Sequence, residues 1–135
     1  PFEPAAEFTF ASPFVPPLAA LHEYAAPAFT PGRPVARAAA ELMARIHADF
    51  IYDGEATEVH TPLLQVLTQR RGVCQDFAHL MIGALRSVGV PARYVSGYLL
   101  TQPPPGQPRL LGADASHAWV SVWCGPTGWI DFDPT

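Results

Sequence analysis

Val35, Ala39, Leu42, Ile46 and Phe50 recur at the three- and four-residue intervals that line one face of a helix. Pro34 is tolerated in the first turn of such a helix, which is expected to end near Tyr52–Gly54. A second, shorter helix follows. Thr61 is placed to cap it, Pro62 suits its first position, and Leu63, Leu64, Val66 and Leu67 supply its apolar face. Arg70 and Arg71 lie where the helix dipole favours cations, and Gly72 is the expected stop. A third helix starts at about Cys74, carries Phe77, Ala78, Met81, Leu85 and Val88 on one face, and stops at Gly89 and Pro91.

Beyond Pro91 the period changes. Arg93 to Leu100 are rich in β-branched and aromatic residues and read as a strand; the prolines between Thr101 and Gly112 make a loop. Ser116 to Cys124 alternate as a second strand, Gly125 to Gly128 turn the chain, and Trp129 to Asp133 begin a third strand. Before Pro34 nothing repeats. Pro4, Pro13, Pro16, Pro17, Pro27 and Pro31 interrupt any period, with Phe2, Phe8, Phe10 and Phe14 scattered among them. Residues 1–33 therefore read as an irregular, proline-rich connector whose phenylalanines pack along a surface.

Composition narrows the function classes. A chain of 135 residues with 49% hydrophobic residues builds a core and suits one domain, or a piece of a larger protein. The formal net charge is −4 and no basic run exists, which makes nucleic acid and acidic membrane surfaces poor partners. No stretch of about 20 apolar residues is present to span a membrane. No signal peptide is visible in the sequence, which begins at Pro1 rather than Met, and the compartment is left open, with the cytoplasm favoured. All eight basic residues are arginines, so the chain has no lysine. Two cysteines, Cys74 and Cys124, are too few for a disulfide framework, and no C-x-x-C or H-x-x-x-H pair offers a zinc site. No cofactor and no metal are expected.

Cys74 carries the candidate chemistry. Unpaired N–H groups and the helix dipole favour a negative charge at the first turn of a helix. The Gly72-Val73 approach lets backbone come close to a bound carbonyl, whose oxyanion the Cys74 N–H would receive. The competing role is a small buried hydrophobe. Among the five histidines, His79 lies on the same helix but points about 140° away from Cys74. His22, His47 and His60 read as solvated, capping or loop residues. His117, at the start of a strand between small residues, is the candidate base, since a strand beside the nucleophile's helix is how Cys–His enzymes join these groups.

Alternation puts His117, Trp119, Ser121 and Trp123 on one side of that strand and Ala118, Val120, Val122 and Cys124 on the other. Cys124 thus points away from His117 and belongs to the core. Asp131 and Asp133 are both placed to orient the imidazole and share a face, so periodicity leaves the choice open. Asp114 and Asp76 are weaker candidates, each tied by the backbone to another member of the site. Trp119, Trp123 and Trp129 either line a channel or, as the burial capacity of tryptophan favours, pack in the core.

Three stretches carry a resemblance. Residues 71–79 (RGVCQDFAH), 114–120 (DASHAWV) and 128–135 (GWIDFDPT) resemble the nucleophile, histidine and terminal motifs of the bacterial transglutaminase-like superfamily, in the family's order. The resemblance covers residues 34–135 and implies a catalytic core there, with an α+β, papain-like fold in which the nucleophile's helix packs on an antiparallel sheet. It puts the catalytic roles on Cys74, His117 and, as the residue before Pro134, Asp133. It also implies cysteine-dependent acyl transfer or hydrolysis at protein or peptide carboxamides through a thioester, with a protein or peptide substrate and an amine acceptor as partners. Gln75, Tyr52 and Trp119 are further candidates for oxyanion or substrate contacts. The family's core usually continues with more strands, and many members carry a preceding β-rich domain, so this chain is expected to be a fragment of a longer one. A scaffold that keeps the fold without turnover is the alternative function.

Overall fold

A computed structural model of the chain describes residues 5–100, 102, 105–106 and 115–135. Its helices are α1 (Ala19–Ala25), α2 (Val35–Asp49), α3 (Leu63–Gln69) and α4 (Cys74–Ser87). Its strands are β1 (Ile51–Tyr52), β2 (Arg71–Gly72), β3 (Ala92–Leu99), β4 (Ala115–Trp123) and β5 (Trp129–Phe132). The last three form one antiparallel sheet in the order β3-β4-β5, with Tyr94 opposite Val120 and Val120 opposite Phe132.

Helix α4 is the centre of the molecule. Phe77, Ala78, Leu80, Met81, Ile82, Ala84 and Leu85 are all buried, a helix apolar around nearly its whole circumference. Such a helix needs neighbours on every side, and α1, α2, α3 and the sheet supply them. The sheet offers α4 a face of Ala92, Ala118, Val120 and Val122, each at most 2% exposed. The helix ends where Gly89 takes φ 78°, a left-handed conformation that favours glycine. Among the described residues no helix is long and apolar enough to cross a membrane.

The expected elements between residues 34 and 133 form, with corrected ends. Helix α2 stops at Asp49, short of Tyr52, because Ile51–Tyr52 is drawn into parallel pairing with Arg71–Gly72. Helix α3 has Pro62 as its cap residue. Thr61 does not cap it; its hydroxyl accepts the Glu58 N–H at 2.8 Å. The turn that ends α3 falls at Arg70, with φ 56°, and not at Gly72. The loop expected from Thr101 to Gly112 falls mostly outside the described residues.

Residues 1–33 are not irregular throughout. Among the described ones, a short 3-10 turn covers Ala6–Thr9, and α1 buries Leu21 and Ala25 against α4. The approach is close because residue 83 is glycine: a Cβ there would lie 2.6 Å from Leu21 Cδ1. Tyr24 then ties α1 to α2 by donating to Asp49 at 2.8 Å, and Arg86 Nη1 holds the Phe10 carbonyl at 2.8 Å. The prolines delimit this segment's helix without abolishing it.

Candidate active site

The start of α4 is held by a buried carboxylate. Val73 is extended (φ −115°, ψ 178°), and Asp76, 5% exposed, accepts the Val73 N–H at 2.9 Å and the Thr57 hydroxyl at 2.5 Å. This satisfies an amide at the helix entrance that has no partner within the helix. It also explains Gly72, whose missing Cβ would lie 2.7 Å from Asp76 Oδ2. The space a side chain at Gly72 would need is filled by Asp76, so that glycine serves the helix entrance. Asp76→Ala should strand the Val73 amide and lower the unfolding free energy by about 2 kcal/mol in chemical denaturation. A change below about 0.5 kcal/mol would show that the carboxylate does not hold this turn.

Cys74 is the first residue of α4, half-buried against the edge of the core. Burial, and then the neighbouring Cys74 and Asp76, raise the phenol of Tyr94 above its ordinary range. Cys124 is also a free, half-buried thiol; it rests 3.7 Å from the Val122 carbonyl, and burial pushes it up. His79 lies between the rings of Phe14 (5.6 Å) and Tyr94 (5.2 Å), and burial pushes its imidazole down. His22 and His47 bond the Ser87 and Thr135 carbonyls, and His60 stacks on Phe14.

His117 and Asp133 meet. The imidazole is 8% exposed, and its Nε2 donates to Asp133 Oδ2 at 2.7 Å. Asp133 follows the end of β5 and is held twice: its Oδ1 accepts the Thr135 N–H at 3.0 Å, and the intervening Pro134 is fully buried. With Nε2 engaged, Nδ1 is the nitrogen left for a thiol. Among the described residues Cys74 Sγ has no hydrogen-bond partner. The structure therefore joins His117, the candidate base, to the Asp133 carboxylate, and among the described residues shows no hydrogen bond between them and the Cys74 thiol.

The two aspartates that alternation could not separate have different partners. Asp131 Oδ2 accepts the Trp119 indole N–H at 3.1 Å. The Trp119 ring in turn stacks beside His117, 6.1 Å between centroids and 29° between planes. Tyr98, Leu99, Trp119 and Phe132 border His117 and Asp133 in a shallow cleft of about 380 Å³. Trp123 and Trp129 pack edge to face at 5.5 Å, with Arg93 over Trp129 at 4.2 Å and Phe8 against its edge. These two tryptophans form an aromatic cluster of their own.

Of the remaining candidates, Gln75 turns its amide to the Val59 carbonyl at 3.4 Å. Tyr52 is 60% exposed and meets Phe77 edge-on. Neither these two nor Trp119 bonds Cys74, His117 or Asp133 among the described residues. Asp114 lies outside them. Asp76 was missed as the structural anchor of α4, although a carboxylate three residues past a helix's cap position is a sequence signal for such a role. Valine at the cap position hid it.

Comparison with known proteins gives a consistent set. The family model described as the transglutaminase-like superfamily matches residues 23–134. An uncharacterised Mycobacterium tuberculosis protein is 50% identical over 120 residues, covering 86% of this chain and 38% of that protein. A protein-glutamine gamma-glutamyltransferase of Pseudomonas aeruginosa is 40% identical over 67 residues, 49% of this chain and 10% of that enzyme. A crystal structure from Cytophaga hutchinsonii, provisionally described as a cysteine protease, superposes with a TM-score of 0.80 at 28% identity, over 99% of this chain and 43% of that one. The chain thus spans 38% of the length of the mycobacterial relative.

Proposed function

Because this chain belongs to the transglutaminase-like superfamily and has its α+β, papain-like fold, we propose that it carries a cysteine-dependent acyl-transfer site built from Cys74, His117 and Asp133. The observation that carries the reading is the 2.7 Å bond between His117 Nε2 and Asp133. In the neutral imidazole such a bond favours the tautomer with its proton on Nε2 and a lone pair on Nδ1, the form a general base requires. Cys74, at the entrance of α4, gives up its thiol proton to Nδ1 and attacks the carbonyl carbon of a glutamine side chain or peptide amide. The oxyanion of the tetrahedral intermediate is received by backbone N–H groups at the start of α4. The intermediate collapses as the C–N bond breaks, and the imidazolium hands its proton to the departing nitrogen as ammonia or an amine. A thioester on Cys74 remains.

The second nucleophile then sets the outcome, and His117 takes its proton as it attacks. An amine yields a new amide and transfer; water yields a carboxylate and hydrolysis or deamidation. The likeness to the Pseudomonas gamma-glutamyltransferase supports transfer, and the likeness to the Cytophaga protein supports hydrolysis. Casein incubated with the protein, with and without a small primary amine, separates the two: amine incorporation marks transfer, ammonia release without it marks deamidation, and new peptide termini mark peptide hydrolysis. No Cys74-dependent product of either kind, from folded protein, would overturn the proposal.

The absence of lysine adds a specific expectation. Transfer to protein normally uses a lysine ε-amine, so this chain should form no covalent multimers of itself without an added amine, even when active and concentrated. Adding casein should restore cross-linking, because casein brings lysines. Mass spectrometry of untagged protein, with Cys74→Ala as control, reads this directly. Cys74-dependent isopeptide multimers of the chain alone would contradict it.

A further inference from the structure

Asp131 and Trp119 have no part in the mechanism above, yet they stand against its base. Trp119 is two residues from His117 on β4, so both side chains leave the same side of the strand. Three contacts fix the indole. Its Nε1–H is held by Asp131 at 3.1 Å, its six-membered ring lies over Gly97, and its face stacks beside the imidazole. The Gly97 contact is tight: a Cβ at that position would lie 2.4 Å from Trp119 Cη2 and 2.8 Å from Cζ3. Gly97 is also the residue directly opposite His117 in the pairing of β3 with β4. A side chain on residue 97 would push the indole off the strand at the level of the imidazole.

We propose that Asp131, Trp119 and Gly97 act together as a positioning device for His117, with the indole as a fixed wall that keeps the imidazole turned toward Asp133. The proposal rests on the reading of His117 as the base. The Asp133 bond alone leaves His117 a hinge at Nε2, about which the ring swings and carries Nδ1 off line. A wall on one side restricts that swing. An indole tethered only by packing would move with the ring. Asp131 supplies the second point of attachment, and the missing Cβ of Gly97 lets the wall stand close to the strand.

A surface hydrogen bond with no further role would be worth little to stability or activity. The proposal expects something different. Asp131→Ala should lower kcat on casein and a small primary amine by on the order of tenfold with KM little changed, because the loss is in alignment of the base. Asp131→Asn should recover most of that loss, since its amide oxygen still accepts the indole N–H. Gly97→Ala should reproduce the Asp131→Ala defect by moving the same ring from the other side.

A readout independent of turnover accompanies these. In ¹⁵N-histidine-labelled protein, at a pH high enough to hold the ring neutral, the two imidazole nitrogens of His117 should report a single tautomer, protonated at Nε2, in wild type and Asp131→Asn. In Asp131→Ala and Gly97→Ala the tautomers should mix. Circular dichroism establishes that each variant is folded; were Gly97→Ala to unfold, the two Asp131 variants still decide. Folded Asp131→Ala with wild-type kcat and an unmixed tautomer would overturn the proposal, as would Asp131→Asn failing as badly as Asp131→Ala. If wild type turns over no amide, the acyl-transfer reading falls, while the tautomer measurement still decides whether Asp131 and Trp119 position the ring.

Discussion

Cys74→Ala is expected to lower turnover by at least about 10³-fold while leaving the fold in place. The activity loss follows from chemistry. Without Sγ no thioester forms, and neither His117 nor the helix entrance supplies another nucleophile. The small structural effect follows from position. Cys74 is only half-buried, and its backbone role at the first turn of α4 is unchanged by alanine. The transfer cost of the lost thiol is about 1 kcal/mol.

Cys124→Ala is the matched control. That thiol lies against the Val122 carbonyl and is pushed up by burial, so it stays protonated at neutral pH and should be dispensable for turnover. A thiol-reactive probe followed by peptide mapping should therefore label Cys74 ahead of Cys124. Equal loss of turnover in both variants, or labelling that favours Cys124, would remove Cys74 from the role of nucleophile.

Much of the site's framework was legible in the order of residues. Helix α4 could be read because its apolar positions persist for fourteen residues and because Gly89 and Pro91 end it in the usual way. The sides of β4 were readable for the same reason: a nine-residue strand with one face on a helix has to alternate. Helix α1 escaped notice because seven residues give barely two turns, too few to show a period between prolines. What holds it is Leu21 against a gap at Gly83, a contact between distant parts of the chain. The β1–β2 pair has two residues in each strand and depends on where α2 and α3 stop. No local pattern announces it.

The carboxylates show the same boundary more sharply. Period two puts Asp131 and Asp133 on one side of the sheet and can say nothing more. Their partners are decided by side-chain reach across strands. The indole of Trp119 extends to Asp131, and Asp133, just past the end of β5 beside buried Pro134, meets His117. Asp76 is a weak candidate for orienting the imidazole because the backbone ties it to Cys74. That tie is why it can close the entrance of α4, where it accepts the Val73 amide.

Asp133→Asn is expected to cost on the order of 10³–10⁴ in kcat, against less than about threefold for Asp131→Asn. The two carboxylates are two residues apart, and each accepts one hydrogen bond from an aromatic N–H. They differ in what that N–H becomes during reaction. The indole of Trp119 stays neutral, so a neutral amide oxygen at position 131 serves it nearly as well. In the proposed reaction His117 becomes an imidazolium as it takes the thiol proton, and a negative charge at 133, 2.7 Å from Nε2, would stabilise that state. Asparagine removes the charge. It also has the choice of presenting its NH₂ to Nε2, which moves the ring proton to Nδ1, the nitrogen that in the proposed reaction receives the proton of Cys74. Thermal melts of both variants, with kcat and KM on the same substrate, separate a catalytic loss from an unfolding one. Comparable losses in two folded variants would mean that the charge on Asp133 is not what His117 needs.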